Sequence, residues 1–478
     1  MSAPQFAGRQ RTDLTAITGE PDFYEDGRGG VYMADDAAPR TATDFSRFGR
    51  FPRDRQWPEP SAPEARHGLA GDFVDLVDPV SEADPVALLA QFLVGFGNVI
   101  GRGPGFIAEG DHHATNLNVA IVGQTSKARK GTSWGRVRQA LALVDPEWVE
   151  DRVTSGLSSG EGLVWQVRDP IVTRRKGRKN DDADHDGDVE ELVDAGVIDK
   201  RLLVVEGELA QGLRVMRREG NTLSVAIRNL WDSGNHGALI KNSPGRTTGA
   251  LVSIIGHITK DELRRELTAT DTANGFANRF LFICARRSKA LPDGGEVPAD
   301  DMMSIARLIA AAVEHARSVG VLVRDENARE LWHHVYPRLS EGRPGMLGAI
   351  TGRAEAQVMR LAVIYALLDG RKVVRVEHLR AALALWDYCE RSAAYIFGED
   401  VGDPVADEIL AALQAAPEGL THSEIRDLFK RHKTAARLNI ALRALAEAGL
   451  ATSHRRSTGG RPVEHWCAVS AQSAERSA

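Results

Sequence analysis

Four short apolar runs constrain the fold more than anything else in the chain: NLNVAIVG at 116–123, RLLVVEGE at 201–208, ALVSIIGHIT at 250–259 and RFLFICA at 279–285. Each is apolar at consecutive rather than alternate positions and rich in β-branched or aromatic residues. Such a strand needs cover on both faces, the condition of a central strand in a helix-covered parallel sheet. Ahead of the first run, DPVALLAQFLVGFGNVI (84–100) carries apolar residues at helical spacing and stops at Gly101. Behind it come a polar loop and a helix over 134–143. The order strand, loop, helix, repeated along the chain, predicts an α/β fold.

The 478 residues are enough for two or three domains, each with its own core. Residues 1–68, rich in Gly, Pro, Arg, Asp and Ser, show no apolar period and are expected to form a disordered tail. The α/β core spans 69–299 and contains a flexible charged insertion at 173–199, where the basic block TRRKGRK runs into an acidic one. Helical spacing continues through 300–400, a GEDVGDP break follows, and a last domain occupies 401–470, with a short tail at 471–478. No apolar run reaches the length of a membrane span, and the first residues lack the apolar centre of a signal peptide. Cys284, Cys389 and Cys467 are odd in number and far apart, which argues against a disulfide framework and fits the cytoplasm. With 60 basic and 66 acidic residues, the net charge of −6 leaves nucleic-acid contact to local basic patches.

The segment Gly123-Gln-Thr-Ser-Lys-Ala-Arg129-Lys130-Gly131-Thr132-Ser133 lies between the first apolar strand and its helix, where a phosphate-binding loop belongs. Backbone amides at a helix start attract phosphate oxygens. Lys130 would neutralise the outer phosphates of ATP, and Thr132 or Ser133 would hold Mg²⁺. Arg129 stands where the usual motif has glycine, the loop is one residue longer, and Gly131 separates the lysine from the hydroxyls. The second run ends in Glu206 and Glu208, at the sheet edge where ligands of open α/β sheets bind. Glu206 suits metal–water contact and Glu208 water polarisation, with the roles exchangeable; the alternative is an exposed acidic helix start favoured by the dipole, and the pairing with the loop upstream favours the functional reading. The third run offers His257 as a polar group beside the γ-phosphate. A short hairpin is predicted before it, with Lys241 able to touch a phosphate backbone. Arg279 precedes the fourth run, either as an arginine finger toward a neighbouring subunit or as a structural loop cap.

The C-terminal domain predicts three helices, at 405–415, from 421 with the capping box THSE, and at 434–448. Two strands around Ser457-Thr-Gly-Gly-Arg-Pro462 follow, so the pattern is that of a winged helix-turn-helix. Such modules bind DNA or proteins, and the basic clustering favours DNA. Lys433, Arg455, Arg456 and Arg461 would meet phosphates, with Arg437 and Asn439 as possible base readers.

The order of loop, strand-end acids, hairpin and N-R-F-L-F-I-C-A resembles the AAA+ ATPases of the MCM-like helicase branch, which carry an S-R-F finger in the matching place. TGRAEAQVMRLAVIYALLDGRKVVRVEHLRAALALWDY (351–388) resembles their lid, which maps a second sensor onto Arg353, with Arg360 beyond it. The chain is also similar to ATPases of phages and integrative elements that lie beside primase modules. The resemblance covers roughly 84–397 and implies a P-loop NTPase core with a helical lid at 300–400. It also implies ATP and Mg²⁺ as cofactors, a ring of subunits, most simply a hexamer, and DNA as partner, with a primase or other replication protein. A RecA-like core is the nearest structural rival. The expected activity is ATP-dependent DNA translocation or unwinding for a mobile element. The alternative is a DNA-binding ATPase that acts as initiator, regulator or defence component without unwinding.

Overall fold

The computed structural model describes residues 57–125, 129–175, 189–237, 245–342, 345–398, 404–447, 449–456 and 463–469, with Phe23–Glu25 and Val31–Met33. The four apolar runs form strands, and a fifth strand of two residues joins them: β1 (Asn118–Gly123), β2 (Val153–Thr154), β3 (Arg201–Glu206), β4 (Leu251–Thr259) and β5 (Phe280–Cys284). All are parallel, in the order β5-β1-β4-β3-β2. Two residues carry no period, which is why β2 is invisible in the sequence.

Alternation along the strands divides the interior in two. Val119, Ile121, Leu203, Ile255, Leu281 and Ile283 join one apolar cluster, while Ala120, Val122, Leu202, Val204, Ile254 and Phe282 join the other. Helix α1 (Pro85–Val99) lies across the first face and is buried from Val86 to Val99. Its start is set by Asp84, whose side chain accepts from Val86 N, with proline at the first helical position. Helix α2 (Lys130–Val144) follows β1 on the same face through Val137, Ala140 and Leu141. Helices α3 (Leu209–Met216), α4 (Leu223–Asp232) and α5 (Lys260–Glu266) cover the second face.

The helices expected as a lid are α6 (Ala299–Ser318), α7 (Glu326–Ser340), α8 (Gly345–Thr351), α9 (Ala354–Leu368) and α10 (Val376–Phe397). Most of their apolar residues, including Leu361, Ile364 and Leu385, belong to the cluster that contains α1 and the sheet. They are therefore continuous with the α/β core rather than a separately packed unit.

Two boundaries differ from expectation. The N-terminal tail was drawn to residue 68, yet Trp57 packs edge-on against Tyr395 (5.4 Å between centroids) and the Tyr365 hydroxyl donates to Ala65 O at 2.6 Å. An apolar period cannot report so short a strap. Phe23–Glu25 and Val31–Met33 pair antiparallel, and the rest of 1–56 lies outside the described residues, as does the tail at 471–478. The insertion expected to be flexible is framed by Ile171–Arg175 and Val189–Asp194, paired antiparallel, with Arg174 opposite Glu190. Its centre, 176–188, is outside the described residues.

The C-terminal unit has its own apolar core, built from Ile409, Leu413, Ile425, Leu438, Leu442 and Leu445 among others. It contains α11 (Pro404–Ala415), α12 (His422–Leu428) and α13 (Ala435–Glu447). The strands are β6 (Leu420–Thr421), β7 (Ala451–Arg456) and β8 (Val463–Ala468), antiparallel in the order β6-β8-β7. The sequence indicated two strands; the third is two residues long and leads straight into the Thr421–Glu424 capping box. Among the described residues no helix is long and apolar enough to cross a membrane.

Candidate functional site

Strands β1 and β4 are neighbours, with Gly123 level with Thr259. The chain leaves β1 for α2 on one face and leaves β4 for α5 on the other. Adjacent strands with diverging connections open a crevice at their carboxyl ends, the usual ligand position in such sheets. Residues 123–125 and 129–130 border that crevice.

Arg129 caps α2 with φ 54° and ψ 30°, the left-handed conformation that glycine adopts without strain. The departure from the glycine of the usual motif thus keeps the glycine-like backbone. Lys130 begins the helix, 8% exposed, and its Nζ donates to Thr125 O at 3.2 Å. The ammonium is curled back into its own loop. Burial lowers its pKa from the ordinary lysine value, and the charge of Glu262 opposes that. Gly131 is exposed, and a Cβ added there would meet nothing within 4 Å, so the first turn of the helix is open at that position. Thr132 is exposed on that first turn. Ser133 is fully buried, accepts from Gln91 Nε2 at 2.5 Å and donates to Lys130 O at 2.6 Å, so of the two hydroxyls Thr132 alone faces outward.

His257, at the far end of β4, is buried under this turn, and its Nε2 lies 3.0 Å from Gln91 Oε1. Burial and the Lys130 charge pull its pKa down to about 4, so the ring is neutral at physiological pH.

The strand-end acids separate. Alternation sets Glu206 with Leu202 and Val204, on the opposite face from His257 and α2. Its Oε1 accepts from Gly156 N at 2.6 Å and Leu157 N at 2.7 Å, bracing the turn after the edge strand. The expected metal–water contact of Glu206 is thereby corrected: a one-residue step along a strand reverses the face. Glu208 is exposed at the cap of α3, two strands and so about 10 Å to the side of β1. The carboxylate whose charge does bear on Lys130 is Glu262, in the first turn of α5, and sequence reading missed it. Its Oε2 accepts from Thr259 N and Oγ1, and these bonds, ahead of the charges of Arg265 and Lys130, hold its pKa below the usual carboxylate range. The signal was present as the capping box Thr259-Lys-Asp-Glu262. Tyr395 was also missed; its hydroxyl accepts from Gln124 Nε2 at 3.1 Å, and Lys260 Nζ stands 3.7 Å from its ring centroid.

Arg279 and Arg353 meet each other, not the loop. Asp232, at the end of α4, accepts from Arg279 Nε at 3.2 Å and Nη2 at 2.5 Å, while Arg353 Nη1 stands 3.3 Å from its Oδ1. Beside them Arg360 is fully buried and lies 3.7 Å over the Trp231 ring. Its guanidinium donates to Asn116 O at 2.5 Å and Trp231 O at 3.0 Å, and burial lowers its pKa to about 9. Arg279 precedes Phe280, which pairs with Asn118 at the start of β1. At about 3.3 Å per residue, the cluster lies roughly 17 Å along the sheet from Gly123. Arg353 is thus not placed to act on a ligand held by Lys130 of the same chain, which corrects the expectation of a lid sensor there.

His236–Gly237 pairs with Arg246–Thr247, framing the hairpin expected before β4; its tip, with Lys241, is outside the described residues. In the C-terminal unit Lys433 and Arg455 are exposed, Arg437 is half-buried, and Asn439 Oδ1 lies 2.7 Å from His422 Nε2. Arg461 and the side chain of Arg456 fall outside the described residues.

His67, Asp369 and His378 form the one group at metal-ligand spacing among the described residues, both Nε2 atoms meeting Asp369 Oδ2 at 2.7 and 3.2 Å. Arg375 N donates to His378 Nδ1 at 2.9 Å, so that ring carries its proton on Nε2, where a metal would need a lone pair. The trio is a hydrogen-bonded clasp between the start of the helix Gly68–Val77 and the α9–α10 turn.

Comparison of the chain with models of known protein families finds no match, and comparison with curated proteins finds none.

Proposed function

We propose that residues 123–133 bind the triphosphate of ATP with Mg²⁺, and that the chain is an ATP-hydrolysing P-loop motor of the AAA+ type acting on DNA, most simply a translocase or helicase serving replication of a mobile element. The observation that carries this reading is the Lys130 ammonium, buried and turned into its loop at the sheet's switch point, beside the exposed Gly131 and Thr132 of a helix start. A triphosphate would replace the Thr125 carbonyl as its partner and meet the Lys130 and Gly131 amides that open α2, since those of Thr132 and Ser133 are already bonded to Arg129 O. Thr132 would hold the Mg²⁺ that arrives with the nucleotide, and the ion would supply countercharge for the phosphates. Thr132 presents its hydroxyl on the outer side of the first turn, Glu262 keeps Lys130 charged, and Glu208 is the exposed strand-end carboxylate suited to orient water. The sheet order supports the same reading, since β4 separates the glycine-ended β1 from β3, beyond whose end Glu208 is exposed.

Arg279 and Arg353 share one carboxylate at the opposite end of the sheet, which favours both acting on a neighbouring subunit's nucleotide in a ring, with its phosphates competing against Asp232. The C-terminal unit, with three helices and a three-stranded sheet, is read as a winged helix that binds DNA through Lys433, Arg437 and Arg455.

The test is ATP turnover by the full chain, with and without forked DNA, in the wild type and Lys130→Ala. DNA-stimulated turnover lost in Lys130→Ala, with strand separation, supports the motor. Stimulated turnover without separation leaves the initiator or regulator, and turnover unaffected by Lys130→Ala removes the nucleotide site altogether. Micrographs with ATP and Mg²⁺ test the ring.

A further inference from the structure

Helix α1 carries two polar side chains, Gln91 and Asn98, in an otherwise apolar and glycine-containing run, and both are fully buried. Burying an amide without partners costs roughly 1–3 kcal/mol in proteins, so each must find them. Asn98 finds them in the frame of the sheet: it donates to Leu202 O and Leu251 O and accepts from Trp148 Nε1. Gln91 points the other way, under the phosphate loop.

The hydrogens around Gln91 follow from its partners. Its Nε2 lies 3.0 Å from Ala87 O, an acceptor only, and 2.5 Å from Ser133 Oγ. The amide nitrogen must therefore face Ala87, which leaves Oε1 toward His257. Oε1 accepts only, so His257 carries its proton on Nε2 and keeps a bare lone pair on Nδ1. Ser133 takes a hydrogen from Gln91 and gives its own to Lys130 O. The result is a one-way chain from the end of β4 through α1 to the first turn of α2. It joins the two strand ends that form the crevice.

We propose that Gln91 is a positioning residue of the nucleotide site: its single amide fixes the tautomer of His257 and anchors the turn on which Lys130 stands. The proposal rests on reading that loop as a nucleotide site. The charged groups bearing on this corner are Lys130 of α2, which depresses the His257 pKa, and Glu262 of α5, which faces Lys130.

The test uses the full chain with Gln91→Met, Gln91→Glu and Ser133→Ala. Nitrogen NMR of the imidazoles, assigned by His257→Gln, reads the tautomer without any nucleotide. In the wild type His257 is expected to hold the Nε2–H form down to about pH 5. In Gln91→Glu the carboxylate favours the imidazolium, so His257 titrates at clearly higher pH, and the pH profile of kcat gains a matching limb. Gln91→Met and Ser133→Ala are expected to lower kcat by tenfold or more, while the Kd for a fluorescent ATP analogue stays within threefold. A packing role alone would shift the melting temperature and leave the tautomer and the kcat-to-Kd split unchanged. An unchanged His257 titration in Gln91→Glu, or an unchanged kcat in both other variants, overturns the proposal. Failure of the wild type to bind the analogue overturns the nucleotide reading and this role with it, whereas the NMR arm still reports whether Gln91 holds His257.

Discussion

Arg129 Nε lies 2.7 Å from Glu82 Oε2, an ion pair that ties the left-handed residue of the loop to the segment entering α1. Left-handed backbone costs a non-glycine residue about 1–2 kcal/mol, and a solvent-screened ion pair returns only part of that. Arg129→Gly removes both terms. Urea unfolding of that variant is expected within about 1 kcal/mol of the wild type, with binding of an ATP analogue retained. Arg129→Val loses the pair, and a β-branched side chain tolerates left-handed backbone less well than arginine, so it is expected to be less stable than both the wild type and Arg129→Gly. A tenfold loss of analogue affinity in Arg129→Gly would show that the guanidinium, not the backbone it adopts, serves the loop.

Asp232 is the carboxylate to which both Arg279 and Arg353 are bonded, beside the buried Arg360. Asp232→Asn leaves three cations close together with their shared countercharge gone. Its unfolding free energy is expected to fall by about 2 kcal/mol, less than for a fully buried pair because Asp232 is partly exposed. Arg353→Ala, at the more exposed partner, costs less than Arg279→Ala. Equal losses in the two arginine variants, measured by urea midpoint, would contradict the burial difference.

The His67–Asp369–His378 clasp makes stability depend on pH from both sides. Burial pulls the His67 pKa down, but the hydrogen bond and charge of Asp369 outweigh it and leave the pKa above the ordinary 6.5. That contribution is full below the unfolded value and is lost as pH rises through the folded one. Burial pushes the Asp369 pKa up, but bonds from His378 and His67 hold it far below the ordinary 3.8. Its contribution is full above the unfolded value and is lost as pH falls. The melting-temperature difference between wild type and Asp369→Asn should therefore be largest around pH 5 to 6.5 and shrink on either side. A difference that grows steadily to about pH 9 would rule out the protonated His67.

Burial pushes the Cys284 thiol up to about 12 and raises that of Cys389 further, while Cys467 is partly exposed near His454. Thiolate is the reactive form. A thiol reagent at pH 8 should label Cys467 alone in the folded chain and all three cysteines in denaturant. Rapid labelling of Cys284 without denaturant would mean that the second face of the sheet opens.

How much of this was legible beforehand depended on the range of the signal. Consecutive apolar residues located β1, β3, β4 and β5, helical spacing located α1, and Thr421-His-Ser-Glu424 located the start of α12, because each is a property of a few adjacent residues. Lys130 at a helix start behind a glycine-ended strand was local in the same sense. Which acid faces the loop was not: Glu206 falls on the far face by one step of alternation, while Glu262 arrives from an element that sequence places far from Lys130. The meeting of Arg279 with Arg353, and of Gln91 with His257 and Ser133, depends on strand order and on how α1 and α9 cross the sheet. A local period records which face of an element is apolar, but it holds no record of which elements become neighbours. That is decided only when the strands pair and the faces are buried together.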